Sequence, residues 1–283
     1  MFGISSINFT LVAIISSVFG AIANILARTL LKDLKSRDIL GINFLTMGIT
    51  LVLVSPWFYY FQPSKLAVGL VVLIAFIDTL GNYFFFKTFE NTEASVATPI
   101  LSLAPAFTFL FSFIFLRDTV PWTTLLLCLA VIASIIIFST DFNNFKQFKI
   151  STLQPALLSS VLFGISAIPS KYLLSNMNAI NSLTLYMFRA GFIALFSLLF
   201  FKFSVQHLTV GQFRVIFLRG LVVISQWGLL YWALSRGQAG VTITLANITP
   251  IFVFILGGLF LHEKITGKKV LASILIVGLS LMV

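Results

Sequence analysis

Residues 239–263 read AGVTITLANITPIFVFILGGLFLHE, and residues 94–118 read ASVATPILSLAPAFTFLFSFIFLRD. The two stretches align without a gap at a constant separation of 145 residues. The matched residues are Ala94 with Ala239, Val96 with Val241, Pro105 with Pro250, Phe107 with Phe252, and Asp118 with Glu263. Near the start of each half, Gly20 and Gly164 match at almost the same separation. The chain is therefore an internal duplication, with one copy of the pattern in each half.

The rest of the chain is too apolar for a water-soluble fold. Hydrophobic residues make up 59% of the 283 residues and charged residues only 9%, and the mean hydropathy is +1.08. Soluble domains carry about 25% charged residues, so the predicted solvent is the lipid bilayer. The net charge of +10 does not indicate nucleic-acid binding, because the Lys and Arg residues lie at the ends of apolar runs, as membrane topology requires.

Apolar runs of about 20 residues, the length that crosses a bilayer, predict ten transmembrane helices. They cover residues 8–31, 38–61, 66–88, 93–116, 121–140, 152–175, 182–203, 211–235, 238–261 and 266–283. The first run is too long for a signal peptide, so we interpret it as a retained helix. Because each unit has an odd number of helices, two tandem units lie in opposite orientations. We predict an all-α polytopic membrane protein with two inverted five-helix repeats, at 1–140 and 152–283, joined by a loop at 141–151.

Lys and Arg are distributed unevenly between the two ends of the predicted helices. The richer end carries Arg28, Lys32, Lys35, Arg37, Lys87, Lys146, Lys149, Lys202, Arg214, Lys264, Lys268 and Lys269. The other end carries little beyond Lys65, Arg117 and Arg236. The positive-inside rule places the richer end in the cytoplasm, and both termini outside.

Three features of the second repeat carry a family resemblance: Ala233-Leu234 in the eighth predicted helix, Pro250 in the ninth, and Leu261-His262-Glu263 after it. The first repeat has looser copies in Thr88-Phe89, Pro105 and Leu116-Arg117-Asp118. The chain resembles the EamA family of the drug/metabolite transporter superfamily, whose halves each carry an Ala-Leu turn, a mid-helix proline and a Leu-x-Glu end. The resemblance implies a membrane transporter, with an arginine often found in the seventh helix. It also implies that both termini are cytoplasmic, which is the reverse of what the charges indicate.

Charged residues inside the predicted helices are candidates for function, because each costs roughly 2.5–3.5 kcal/mol near the bilayer centre. Asp78 lies about 18 Å into the third predicted helix at about 1.5 Å per residue. Asn82 lies one turn further along the same face. The carboxylate of Asp78 is predicted to bind substrate or a coupling ion. The alternative is that it pairs with a buried base and pins two helices together.

The seventh predicted helix carries Arg189 about 10 Å from its start, with Tyr186 one turn earlier. A guanidinium group can hold a carboxylate or phosphate through a bidentate fork. The alternative for Arg189 is a salt bridge or a snorkelling side chain. Asp78 and Arg189 together would complement both ends of a zwitterion, so the first predicted substrate is an amino acid or a related compound.

The eighth and ninth predicted helices supply four more candidates. Gln226 and Trp227 align with Gly81 and Asn82, and matching polar positions in inverted repeats converge near the midplane. Arg219 lies about two turns before them, and Asn247 lies three residues before the ninth-helix proline. We predict that all four contribute to substrate binding, with helix packing as the alternative.

The predicted function is a secondary transporter, a carrier or exchanger that moves a small polar organic metabolite by alternating access. The alternatives are an exporter of drug-like or nucleotide-type compounds and a non-transporting membrane scaffold or sensor. An intramembrane enzyme is disfavoured, because the sequence has no His-Glu-x-x-His set. The predicted partners are the substrate, the lipid bilayer and a coupling proton or ion, without cofactor, metal or nucleic acid. We expect a monomer or homodimer in a bacterial inner (plasma) membrane.

Overall fold

The computed structural model of the protein describes residues 8–31, 33–91, 101, 103–117, 121–139, 150–204 and 208–260. Its helices are α1 (Phe9–Leu30), α2 (Ser36–Val54), α3 (Lys65–Asn91), α4 (Ala104–Phe115), α5 (Trp122–Ser139), α6 (Ile150–Lys171), α7 (Ser182–Phe201), α8 (Val210–Arg236), α9 (Ala239–Ala246) and α10 (Thr249–Phe260). A short 3-10 turn, Ser55–Trp57, follows α2, and a π-helical turn, Tyr172–Asn176, follows α6. The described residues form no β-sheet and only one isolated bridge, between Phe61 and Ile180.

The prediction of an all-α membrane protein is confirmed for the described part of the chain. Six helices there, α1, α2, α3, α6, α7 and α8, are long and apolar enough to cross a membrane. Large apolar side chains such as Leu53, Phe113 and Val210 are exposed on the outer surface, which suits contact with lipid tails. The tenth predicted helix, 266–283, and residues 93–100 of the fourth lie outside the described residues.

The ninth predicted helix, 238–261, is wrong as a single helix, because the structure divides it into α9 and α10. Asn247 closes α9, and its backbone N–H donates to the carbonyl of Ile243 at 3.0 Å. Pro250 has no N–H and so cannot extend the ladder of hydrogen bonds, whereas a proline is well placed at the start of a helix. Asn247 therefore lies at a helix break rather than within a continuous span.

The same start position recurs in the first repeat. Helix α4 begins at Ala104, which lies 145 residues before Thr249, the first residue of α10. Pro105 is the second residue of α4, as Pro250 is of α10. The duplicated proline therefore marks the first turn of a helix in both repeats.

Helices of one repeat pack against helices of the other in reciprocal pairs. Helix α1 packs along α8, and α3 packs along α6, so that the first helix of each repeat meets the third helix of the other. Helix α2 packs against α7 and α4 against α9, so that the second helices meet each other and the fourth helices meet each other. This exchange is what an approximate two-fold axis between the repeats requires.

Helices α2 and α7 run antiparallel, as inverted repeats demand. At one end, the Thr184 hydroxyl oxygen accepts a hydrogen bond from the Tyr60 backbone N–H at 3.1 Å. At the other end, Asp38 Oδ1 accepts from the Ser204 backbone N–H at 2.9 Å. Between these ends the helices meet at Gly48, where a Cβ atom would lie 3.4 Å from the Cα of Gly191. The small residues let the two backbones approach closely near the axis.

The two ends of the bundle differ in the number of basic residues that they carry. The end that holds the start of α2 and the ends of α3 and α7 is called the basic end. It carries Arg28, Lys35, Arg37, Lys87, Lys202 and Arg214 among the described residues. The opposite end carries Lys65, Arg117, Lys171 and Arg236. Which end faces the cytoplasm stays a prediction.

Single cysteines at Asp33, at the basic end, and Ser64, at the opposite end, should report orientation in a Cys128→Ala background. Both positions are exposed, and Cys128 is buried. If the positive-inside rule holds, an impermeant thiol reagent labels Ser64→Cys on intact cells and reaches Asp33→Cys only after permeabilisation. The reverse labelling would establish the topology that the family resemblance implies.

Candidate functional site

A partly enclosed cavity of about 170 Å³ lies between the two repeats. Its wall is built from α1, α3 and α4 of the first repeat and from α6, α8, α9 and α10 of the second, with Phe44 of α2. A single water needs about 10–15 Å³ by this measure, so the cavity can hold a small organic solute. Its position between inverted repeats is where secondary transporters bind their substrates.

Five of the predicted site residues lie on this wall: Asn82, Arg219, Gln226, Trp227 and Asn247. The amide nitrogens of Asn82 and Asn247 each donate to a carbonyl one turn earlier in the chain, at 2.8 Å and 3.0 Å. The side-chain carbonyl oxygens of these two residues accept no hydrogen bond from the described residues, which leaves them available to a solute. Whether these five residues bind substrate stays a prediction.

The wall also contains polar residues that the sequence analysis did not single out, namely Asn24, Ser166, Ser170, Tyr231 and Thr249. Asn24 is the one amide within α1, and that isolation in an apolar helix was an available signal. Ser166 and Ser170 are spaced by one helical turn and therefore share a face of α6. Small hydroxyl residues are common in membrane helices, so their spacing alone did not distinguish them from packing residues.

The helices lie close together beside the cavity at the paired glycines of the first helices. A Cβ atom at Gly20 would lie 2.9 Å from Nε2 of Gln226 and 3.1 Å from Oγ1 of Thr249. At Gly164 it would lie 3.1 Å from the carbonyl oxygen of Ala104. Gly20 therefore lets α1 approach the start of α10, and Gly164 lets α6 approach the start of α4.

Asp78, Tyr186 and Arg189 come together behind the cavity wall rather than on it. The Asp78 carboxylate, on α3, forms an ion pair with Nε of Arg189, on α7, and both side chains are fully buried. The guanidinium carbon of Arg189 lies 3.8 Å from the ring centre of Trp227 and 5.4 Å from that of Tyr186. Helix α7 contributes no described residue to the cavity lining, so Trp227 stands between Arg189 and the cavity.

The structure therefore shows the pairing that the sequence analysis offered as the alternative for both Asp78 and Arg189. Removing one partner from a buried ion pair leaves an unneutralised charge. Ser166, on the cavity wall, lies beside the Asp78 carboxylate, so the pair is separated from the cavity by one layer of side chains. A direct role of Asp78, Tyr186 or Arg189 in substrate binding stays a prediction.

Arg219 is 5% exposed and lies on the cavity wall. Its Nε donates to the carbonyl of Ala23, on α1, at 3.2 Å, and its Nη1 donates to Oδ1 of Asn43, on α2, at 2.8 Å. Its guanidinium carbon lies 5.0 Å from the ring centre of Phe86, on α3. Three helices of the first repeat thus hold an arginine of the second repeat in place.

The two buried arginines bridge the repeats in related ways. Arg189 reaches from the second helix of its repeat to the third helix of the other repeat. Arg219 reaches from the third helix of its repeat to the second helix of the other repeat. The approximate two-fold axis relates the two helix pairs that the arginines connect. The side chains that receive them differ, since Arg189 meets a carboxylate and Arg219 meets a neutral amide.

Lys171 ties two helices together at the opposite end. Its Nζ donates to the carbonyls of Leu234 at 3.1 Å and Gly237 at 2.5 Å, at the carboxyl end of α8. Lysine is well suited to this position, because it satisfies the last carbonyls of a helix and its charge opposes the helix dipole.

The fold and the cavity together define an integral membrane transporter built from two inverted repeats. The sequence profile of the EamA-like transporter family matches residues 8–140 and 152–283. The chain therefore belongs to the EamA-like transporter family, which confirms the resemblance noted from the sequence. No curated protein matches the chain.

Solved structures share this fold, and 29 of their chains match. One of them, described only as "Crystal structure of protein", aligns with a TM-score of 0.73 at 14% identity over 96% of this chain and 93% of its own. At that identity the likeness shows the fold alone.

The buried ion pair yields a stability prediction. Asp78→Asn or Arg189→Gln alone should lower the free energy of unfolding by about 3–5 kcal/mol, because each leaves one buried charge without its partner. The double variant should recover most of that loss. Unfolding of the purified variants in one detergent, followed by intrinsic fluorescence, measures the difference.

Arg37→Gln is the matched control, since Arg37 is half exposed and forms a surface pair with Asp38. Its effect should stay below about 1 kcal/mol. Single variants as stable as wild type would show that the pair contributes nothing to the fold.

Proposed function

We propose that this transporter is a secondary carrier that moves a small polar organic solute by alternating access, with the cavity between the repeats as its binding site. The observation that carries the proposal is the composition of the cavity wall. Both repeats contribute to it, so a rocking motion of one repeat against the other would change which end of the cavity is open. Alternating access in inverted-repeat transporters works through such motions.

The broken ninth segment supports the same proposal. Asn247 and Thr249, on either side of the break between α9 and α10, both line the cavity. Unwound backbone within a membrane is tolerated where it is buried in protein or lines a cavity. Discontinuous helices at the midplane are a recurrent feature of substrate sites in carriers. The break therefore places backbone polar groups where a solute can use them.

The amides and hydroxyls of the wall favour a solute with several hydrogen-bonding groups. Amino acids and related compounds meet that requirement, and drug-like or nucleotide-type compounds are the alternative. The cavity is a better match for a carrier than for a membrane scaffold, because a scaffold needs no polar cavity between its repeats. We place the protein in a bacterial inner membrane, as a monomer or homodimer.

A role in coupling for Asp78 is part of this proposal, with a proton or cation as the coupled ion. Asp78→Asn alone leaves Arg189 unpaired, so the double variant with Arg189→Gln is the cleaner test. In proteoliposomes, the double variant should still exchange solute but lose the dependence of its flux on pH or on the ion gradient. An unchanged dependence in that variant would remove Asp78 from the coupling mechanism.

A thermal-shift screen of the purified protein against a metabolite library should identify stabilising solutes, because a ligand that binds the native state raises its melting temperature. For such a solute, Gln226→Ala should weaken binding about two- to tenfold, the loss expected for one neutral hydrogen bond. Isothermal titration calorimetry measures the affinity.

Gln62→Ala is the control, because Gln62 is an exposed amide at the opposite end. It should bind the solute as wild type does. A well-folded protein that gives no shift with any compound and no flux in proteoliposomes would favour the scaffold instead.

A further inference from the structure

Arg219 is the one charged side chain among the described residues of the cavity wall. The remaining described lining residues are amides, hydroxyl residues, aromatic residues and aliphatic residues. The wall of the described cavity therefore carries a net charge of one positive unit. That imbalance is unusual for a buried surface, because an isolated charge out of water is costly.

Nothing in the described structure neutralises Arg219. Both of its hydrogen bonds go to neutral oxygens, those of Ala23 and Asn43. Asp78, the carboxylate in the membrane interior of the described chain, is already engaged by Arg189. An arginine has five N–H donors, so three donors of Arg219 remain without a partner among the described residues.

Helix ends also lie on the cavity wall, but their dipoles oppose one another. Ala104 and Thr249, the first residues of α4 and α10, both line the cavity. Ala246, the last residue of α9, lines it too, and the end of a helix carries the opposite partial charge to its start. Arg219 is therefore the main source of positive potential on the described wall.

Beside its amides and hydroxyls, the wall carries several aromatic rings. Phe85, Phe163 and Trp227 line it, and the rings of Phe163 and Trp227 lie 6.4 Å apart between centres. Aromatic walls of this kind favour a flat or apolar body beside the charged group. The aromatic rings disfavour a solute that carries several charged groups.

We infer that the transported solute is a monoanion, with a carboxylate that binds the free donors of Arg219 and an apolar body that packs against Phe85, Phe163 and Trp227. This inference rests on the proposed transport function and names its substrate class. One cation on the wall matches one carboxylate, whereas a phosphate monoester carries a charge near −2 at neutral pH. A zwitterion lacks a carboxylate on the described wall to receive its ammonium group, because Asp78 lies behind Ser166 and is engaged by Arg189. Among the solutes proposed above, the inference therefore favours carboxylates without an amine over amino acids.

The inference also separates the roles of the two arginines. Arg219 touches the solute, while Arg189 already has its anion and stacks on the face of Trp227. Arg189 is then a positioning residue that holds this ring in the wall. The sequence alone favoured Arg189 for the anion, since it could not show that Trp227 separates that residue from the cavity.

Four probes that share one phenyl scaffold test the charge preference. They are 3-phenylpropionate, its neutral amide 3-phenylpropanamide, the zwitterion phenylalanine and the cation phenethylamine. Calorimetric titration into protein in lipid nanodiscs should give the carboxylate an affinity at least about tenfold above that of each other probe, as a charged hydrogen bond implies.

Variants at position 219 connect the preference to the residue. Arg219→Gln should bring the carboxylate-to-amide affinity ratio close to one, while Arg219→Lys should keep part of the preference for the carboxylate. Arg214→Gln is the matched control, because Arg214 is an exposed arginine on the same helix, and it should behave as wild type. If Arg219→Gln fails to fold, Arg219→Lys with a carboxylate-to-amide ratio below that of wild type still supports the inference.

Three results would overturn the inference: equal affinity of wild type for the acid and the amide, an unchanged ratio in folded Arg219→Gln, or no binding of the carboxylate. Flux of each bound probe in proteoliposomes separates this inference from the proposed function. Binding and transport of the amide or the amine without a preference for the acid would refute the monoanion and keep the carrier. Binding of the acid without flux would refute the carrier and keep the anion site.

Discussion

Two arginine side chains are buried between the repeats, where the bilayer interior supplies no water to solvate them. Each needs acceptors or a counter-charge from the protein, and the described residues meet this need only in part and differently in the two cases. Arg189 has the carboxylate of Asp78, and Arg219 has only neutral oxygens among the described residues. The first arrangement stabilises the contact between α3 and α7. The second leaves a positive charge on the wall of the cavity.

The duplicated architecture explains why both arginines sit at the interface of the repeats. The second helix of one repeat packs against the third helix of the other at two places, α7 against α3 and α2 against α8. Arg189 lies at the first contact, and Arg219 lies at the second. The two copies of this contact differ. One is an ion pair between buried side chains, and the other leaves a cation without a counter-charge among the described residues, beside a space large enough for a solute. The two repeats are related by approximate two-fold symmetry, but the charges that they contribute to the cavity wall are not.

Much of the fold follows from the sequence, because apolar length and internal repetition are strong signals. The bounds of α1, α7 and α8 agree with the predicted segments to within two residues. The break at Asn247 was not predicted, because a proline within an apolar run is compatible with either a kink or a new helix start. Comparison with α4, which starts at the equivalent position, shows that a new start is the pattern of both repeats.

The site was harder to predict than the fold. The sequence marks Asp78, Arg189 and Arg219 as charged residues at depth, but helical position does not tell which of them faces a cavity. That depends on the packing of α7 behind α8, and on Trp227, whose ring covers the Arg189 guanidinium. Asn24 and Ser166 line the cavity through the same packing. Serine is common in membrane helices and carries no distinguishing signal by itself, whereas the isolated amide of Asn24 in the apolar α1 was a signal available from the sequence.

The most direct measurement is the accessibility of one cavity residue from both sides of the membrane. Thr249 lines the cavity, so a Thr249→Cys variant in a Cys128→Ala background places a thiol there. With alternating access, an impermeant thiol reagent labels this cysteine in right-side-out and in inside-out vesicles, and a bound solute slows labelling from both sides. Labelling from one side only, at a rate that no solute changes, would contradict a carrier that binds its substrate in this cavity.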